Sequence, residues 1–264
     1  MSKFLQFMKR SYVILIIMLF YAPIMFATIF SFNKPSDKGA LSFTNWNGFT
    51  WNSWKEIGTK DKGDAIVNSI ILGIIVAIFV VILSLVTVFA LWRQRNKTFK
   101  AFVDSTSNVP LINPDIITAI GMSLIMGIMF GTLTVDSDGM WRAIISHTIM
   151  ILPFGIMIMY PRSSKFQLSL LEASKDLGYG PVRSWFNTYF KFMLPISMAV
   201  IVISLTLSFD DFIITRVTSN TTTIGTKLYE SSFKGWALAL GAIMTFIAVG
   251  TSVTFTIVKR RKNA

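Results

Sequence analysis

No cysteine occurs in the 264 residues, which excludes disulfides, thiolate metal sites and cysteine nucleophiles. Histidine is almost missing as well: His147 stands alone. The chain contains no H-E-x-x-H, no G-x-S-x-G and no Walker A string, so metalloprotease, esterase and nucleotide chemistry have no recognisable seat in it. Charge is scarce, at 14% of residues, and acids are outnumbered by bases 13 to 25. No low-complexity linker and no stretch with the character of a separate soluble domain interrupts it.

What fills the chain is apolar. Hydrophobic residues make up 53% and the mean hydropathy is +0.60, outside the range of soluble domains and typical of a polytopic membrane protein. A helix needs about 20 apolar residues to cross roughly 30 Å of hydrocarbon. Runs of that kind predict six helical spans, at about 11–31, 65–92, 114–135, 142–161, 195–215 and 236–258. They leave an outer loop at 33–64 and an inner loop at about 165–194, in a single all-α membrane domain over 1–264. The first run comes after Lys9 and Arg10 as in a signal peptide, but it is too long for such a segment and no small-residue cleavage site closes it, so it reads as an uncleaved span.

Orientation is set by the bases, because positive charge in short loops is retained on the cytoplasmic side. With both termini inside, the inner segments hold 16 of the 25 lysines and arginines, grouped at Lys3–Arg10, Arg93–Lys100, Arg162–Lys191 and Lys259–Lys262. The outer loop offsets its five lysines with Asp37, Glu56, Asp61 and Asp64. The +12 charge therefore records topology, with anionic lipid headgroups as neighbours, and its dispersal over helix ends argues against nucleic acid. Without disulfides the outer loop must be held by packing, for which Trp46, Trp51 and Trp54 are suited, as they are to a membrane interface.

Local signals are uneven. Asn113, Pro114 and Asp115 read as N-cap, first turn and dipole-matched acid opening the third span. Gly127 and Gly131 form a G-x-x-x-G pair that allows close helix contact. The inner loop is larger than a connector requires. Leu168, Leu171, Ala173 and Leu177 supply an apolar stripe, Gly178 a C-cap, and Gly180-Pro181 a turn into a second helix, which together predict a helix-turn-helix lying across the inner face.

The fifth run meets Asp210 and Asp211 before resuming as Phe212 to Thr215. A carboxylate at mid-membrane costs about 2.5–3.5 kcal/mol, so two in succession need water, a cation or a partner charge. Adjacent helical positions differ by about 100°, which lets one acid face a cavity while the other turns to a neighbouring helix. With Phe209 and Phe212 they can offer a cationic substrate ion pairing and cation-π contact. Two other readings stay open: the span ends near Phe209 with both acids in outer water beside Arg216, or His147 and the acids form a proton relay in a proton-coupled carrier.

Glu172-Ala173-Ser174, then Gly178, then Leu194-Pro195 resemble the EAA loop of permease subunits from binding-protein-dependent ABC importers. The likeness extends over most of the chain and is nearest to the spermidine/putrescine C-type permeases, through Asn113-Pro114-Asp115-Ile116, His147, Glu172 to Gly178, and Leu207-Ser208-Phe209-Asp210-Asp211. Serine replaces the second alanine, and fifteen residues separate Gly178 from Leu194 where the family has eleven. The resemblance implies a type I importer permease (MetI-like) fold in a bacterial cell membrane, without catalysis, metal or cofactor of its own. It implies coupling to the ATPase through Glu172, Ala173, Asp176 and Gly178, and a polyamine pathway at Phe209, Asp210, Asp211 and Phe212. The implied partners are two copies of an ABC ATPase that hold ATP and magnesium, a second permease and an extracytoplasmic polyamine-binding protein. The same architecture serving another small solute is the nearest alternative.

Overall fold

The structure is a computed structural model, and it describes residues 3–36, 41–42, 44–113, 115–131, 139–230 and 234–262. The chain runs through α1 (Lys3–Phe30), α2 (Asn52–Ile57), α3 (Lys60–Arg93), α4 (Lys97–Ile112), α5 (Asp115–Phe130), α6 (Met140–Ser163), α7 (Leu168–Asp176) and α8 (Pro181–Trp185). A π-helical turn (Phe186–Phe190) comes next, then α9 (Lys191–Asp210), α10 (Ile213–Thr218), α11 (Ile224–Glu230) and α12 (Gly235–Lys262). Among the described residues there is no strand, only an isolated bridge between Asn33 and Phe49.

Among the described residues, four helical stretches are long and apolar enough to cross a membrane: Ser11–Phe30, Lys60–Arg93, Met140–Ser163 and the continuous run Pro181–Asp210. Asp115–Phe130 and Gly235–Thr251 are shorter apolar helices.

Two span limits differ from the sequence reading, each for a local reason. The third was expected to reach residue 135, but α5 stops at Phe130 because Gly131 turns to φ +78° and closes its N–H on the Gly127 carbonyl at 2.9 Å. Gly131 thus terminates a helix, and a methyl on Gly127 would meet nothing within 4 Å, so the G-x-x-x-G pair makes no seam with the described residues of this chain. Pro114 and 132–135 lie outside the described residues. The fifth was expected over 195–215, but its helix begins at Pro181 and ends at Asp210. Arg183, Asn187 and Lys191 gave 181–194 the look of a loop, while Trp185, Tyr189 and Phe192 supply it with an apolar side. The second helix of the predicted helix-turn-helix, α8, therefore runs on into the span, while α7 is a separate nine-residue helix packed against it.

The chain forms two compact units, 1–63 with 228–264, and 64–227. In the first, α12 packs against α1 and α2. Phe32 sits in an aromatic cluster, stacked on Phe49 and Trp54 at 5.4 and 5.0 Å and edge-on to Trp51 at 5.0 Å. Asn33, fully buried, donates to the carbonyls of Ser42 and Asn45 and accepts from the Asn47 N–H, so packing and one asparagine hold the cysteine-free loop.

The second unit is built on α3, α6 and α9. Leu72, Val76, Val80 and Val88 of α3 meet Ile151 and Met159 of α6 and Met193 and Val200 of α9 in one buried cluster. Glycine sets the spacing: a methyl at Gly155 of α6 would be driven into Ser84 and Val80, and one at Gly73 would press on Leu205 and Phe209. α5 packs on α10, and α4 on α6.

Candidate functional site

Two places in the second unit carry the sequence-derived candidates. The first is the break between α9 and α10. Asp210 is the last helical residue, and Asp211 turns the backbone to φ −71°, ψ 127°. Asp210 is exposed, and its side chain has no hydrogen bond or ion pair among the described residues. Asp211 points the other way, into protein. Its Oδ1 accepts the Ile214 N–H at 3.3 Å and its Oδ2 the Thr215 N–H at 3.1 Å, which satisfies two amide donors at the start of α10. The Thr215 hydroxyl also donates to Oδ2, at 3.3 Å.

His147 completes this network from α6. Its Nε2 lies 3.2 Å from Asp211 Oδ2 and 2.8 Å from Thr215 Oγ1, and its Nδ1 lies 3.1 Å from Ser208 Oγ on α9. The imidazole is 1% exposed. Both ring nitrogens are engaged, so the lone histidine is a fastener among α6, α9 and α10. Behind the break, Gly225 of α11 comes so close to the Asp211 carbonyl that a side chain there would collide with it. The segment leading into α11 is tied to α3 by Asn68, which donates to the Thr222 carbonyl at 3.0 Å, and by Ser69, which accepts the Ile224 N–H at 2.8 Å. Phe209 and Phe212 flank the acids, both half-buried, with Phe209 lying over Gly73. The arrangement presents the Asp210 carboxylate at the end of a long helix on a rigid mount.

The second place is the α7–α8 hairpin. α7 ends in a Schellman motif: the Tyr179 N–H reaches the Ser174 carbonyl at 3.3 Å, the Gly178 N–H reaches the Lys175 carbonyl at 2.8 Å, and Gly178 adopts φ +82°. Pro181 opens α8 at the position where a missing N–H costs nothing. The buried face differs from the stripe read in the sequence. Leu171 and Ser174 are buried, whereas Leu168 and Leu177 are 53% and 75% exposed and Ala173 also faces out. A nine-residue helix packed along one side can cover only a narrow face, and the i, i+3 pair took it. Glu172, Asp176 and Gly178 are exposed on the remaining surface. A groove of about 360 Å³ opens beside them, lined by Arg93, Leu168, Glu172, Lys175, Val182 and Trp185 among others.

Among the buried polar side chains that escaped the sequence reading are Tyr189, Ser163 and Arg142. Tyr189 donates to the Ser163 hydroxyl at 2.7 Å, and Ser163 donates to the Val88 carbonyl at 3.1 Å. Arg142, 4% exposed, donates through both terminal nitrogens to the carbonyls of Phe130 and Gly131 at 2.9 Å, a cation placed at the C-terminal end of α5. The signal available for Arg142 was its isolation in an otherwise uncharged run. Asn113, read as a helix cap, instead donates from its side chain to the Thr118 hydroxyl at 3.0 Å. Asp115 opens α5 and is exposed. Among the described residues no group of histidines and acids is arranged to hold a metal ion.

No family model matches the chain. Among curated proteins it is 31% identical over 254 residues to a spermidine/putrescine transport system permease protein PotC homologue of Mycoplasma genitalium, covering 93% of this chain and 89% of that one. It is 29% identical over 236 residues to the spermidine/putrescine transport system permease protein PotC of Escherichia coli K12, covering 87% of this chain and 84% of that one. Among solved structures, a chain from a bacterial ABC transporter involved in the import of the acidic polysaccharide alginate matches with a TM-score of 0.63 at 12% identity, covering 98% of each chain.

Proposed function

The chain belongs to the PotC family of spermidine/putrescine permeases, and from that membership we propose that it forms part of the pathway by which an ATP-driven importer moves polyamines. It is a multi-pass protein of a bacterial cell membrane with the fold of an ABC importer permease. In the proposed assembly α5 and α12 join the four longer stretches as spans, both termini are cytoplasmic, and the chain performs no catalysis. A second permease completes the pathway, two ABC ATPases bind ATP and magnesium, and an extracytoplasmic protein delivers the polyamine.

The observation that carries this reading is the division of labour at the helix break. Asp211 is consumed internally, which leaves Asp210 as an exposed carboxylate on a fixed mount, beside the half-buried rings of Phe209 and Phe212. An ammonium group needs an anion and benefits from an aromatic face, and one carboxylate per ammonium keeps binding weak enough for release. At the other end, Glu172, Ala173, Asp176 and Gly178 form an exposed surface for the ATPase. Its closure on ATP tilts the hairpin and exchanges outward for inward access.

The test is to purify the protein from its native membrane with its partners and reconstitute it in liposomes. ATP hydrolysis stimulated by spermidine or putrescine, with a second permease and an ATPase present, is the expected result. A lone protein that moves solute on a proton gradient without ATP would overturn the proposal.

A further inference from the structure

Tyr189 is the largest of the fully buried side chains described, and it lies in the π turn between α8 and α9. π turns are rare and concentrate where function demands an irregularity. One residue added to a helical turn rotates the rest of the helix by about 100°, and here the irregular turn buries Tyr189 while Phe186 stays 52% exposed. The ring lies against Phe89, Phe166, Trp185 and Trp92, at 4.7, 5.1, 5.8 and 6.4 Å. Its hydroxyl bonds Ser163, which in turn bonds the Val88 carbonyl, so one side chain touches α3, the end of α6 and the start of α9.

Two further facts give this junction a mechanical meaning. α7 packs on α8 and on the π turn, and its Leu171 belongs to the same buried cluster as Tyr189. α6 and α9 run antiparallel and are bolted at both ends, Ser163 to Tyr189 at one and His147 to Ser208 at the other. Sixteen helical residues separate the α6 bolts, about 24 Å at 1.5 Å per residue. A pair of helices fastened at both ends moves as one body. These contacts form a continuous route from α7 through Tyr189 to the Asp210–Asp211 break.

We propose that Tyr189, through its bond to Ser163, is the positioning residue that transmits movement of the α7–α8 hairpin to the helix break. This rests on the reading of the hairpin as the ATPase-facing element. Tyr189 touches no substrate; it keeps α6 and α9 in one register while load is applied.

The experiment compares wild type, Tyr189→Phe and Ser163→Ala in the reconstituted complex, with ATP hydrolysis and spermidine uptake measured on the same liposomes. Tyr189→Phe deletes only the Tyr189–Ser163 bond, Ser163→Ala deletes that bond together with the one to the Val88 carbonyl, and both keep the aromatic packing. The expected result is normal assembly and normal hydrolysis, with uptake per ATP lowered about fivefold, the factor a hydrogen bond of ordinary net strength commands. Wild-type uptake per ATP in both variants overturns the proposal. So does a proportionate loss of hydrolysis and uptake, which is what a merely structural role would give. Absence of ATP-driven uptake by the wild-type complex instead removes the underlying coupling reading, and the proposal with it.

Discussion

Asp210 and Asp211 are neighbours of one chemical type, and the structure gives them opposite consequences on substitution. Replacing Asp211 by alanine removes the acceptor of the Ile214 and Thr215 N–H groups and the carboxylate facing His147 at 3.2 Å. Loss of a helix cap costs about 1 kcal/mol. His147 keeps Thr215 Oγ1 at 2.8 Å and Ser208 Oγ at 3.1 Å, so its share is the low end of a lost buried partner, about 1–2 kcal/mol. The sum, about 2–3 kcal/mol, corresponds to roughly 4–12 °C of melting temperature in a chain of this size. Asp210→Asn alters an exposed side chain that has no partner among the described residues, and changes stability by less than about 0.5 kcal/mol. Melting of the detergent-purified protein followed by tryptophan fluorescence, beside spermidine uptake by the reconstituted complex, separates the two. The expected pattern is a destabilised Asp211→Ala and an Asp210→Asn of wild-type stability that no longer takes up polyamine. Equal melting points, or normal uptake by Asp210→Asn, would refute the division of roles.

Glu172→Lys reverses charge on an exposed position of α7, so the melting temperature is expected to hold while co-purification of the ATPase is lost; retained co-purification and transport would remove Glu172 from the docking surface. Gly155→Ala forces a methyl into Ser84 and is expected to cost about 1–3 kcal/mol, with Ser84→Gly in the same chain recovering most of it in a thermal melt; additive losses would show that this is not the tight contact. Arg142→Met strips two carbonyls at the end of α5 of their donors and is expected to cost about 2 kcal/mol or more, with Arg142→Lys recovering only part because a point charge cannot span both oxygens; full recovery by lysine would deny the forked geometry.

Apolar runs and turn chemistry were legible in the sequence because each depends on residues adjacent in the chain. Gly178 at a C-cap, Pro181 at a helix start and the apolar character of α1, α3, α6 and α12 all belong to that kind. Partnership was not legible. Helix geometry allowed one of Asp210 and Asp211 to face a cavity and the other a neighbouring helix, but which is which depends on partners, among them His147 of α6, sixty-four positions earlier. The stripe assigned to α7 failed for a related reason. Periodicity marks which residues share a face, yet how much of a short helix is covered depends on its neighbours, and here the cover stops at Leu171 and Ser174. The four residues in excess of the family spacing after Gly178 also had no visible home. The segment that contains them includes the irregular turn that carries Tyr189.

The two ends of the second unit bear differently on how transport is powered. A proton relay needs a titratable group that exchanges its proton with water on alternating sides. His147 is 1% exposed, and the network around it returns on itself: Ser208 and Thr215 on the ring, and Asp211 back to Thr215 and to two backbone N–H groups that cannot pass a proton on. That is the construction of a mount. At the opposite end, Leu168, Leu177 and Val182 stand 53%, 75% and 69% exposed on the α7–α8 hairpin. Each large aliphatic side chain left in water forgoes about 1.5–3 kcal/mol of burial, a loss that a self-powered carrier has no reason to retain on this hairpin. In the assembly proposed above, the ATPase that covers them recovers that free energy as affinity.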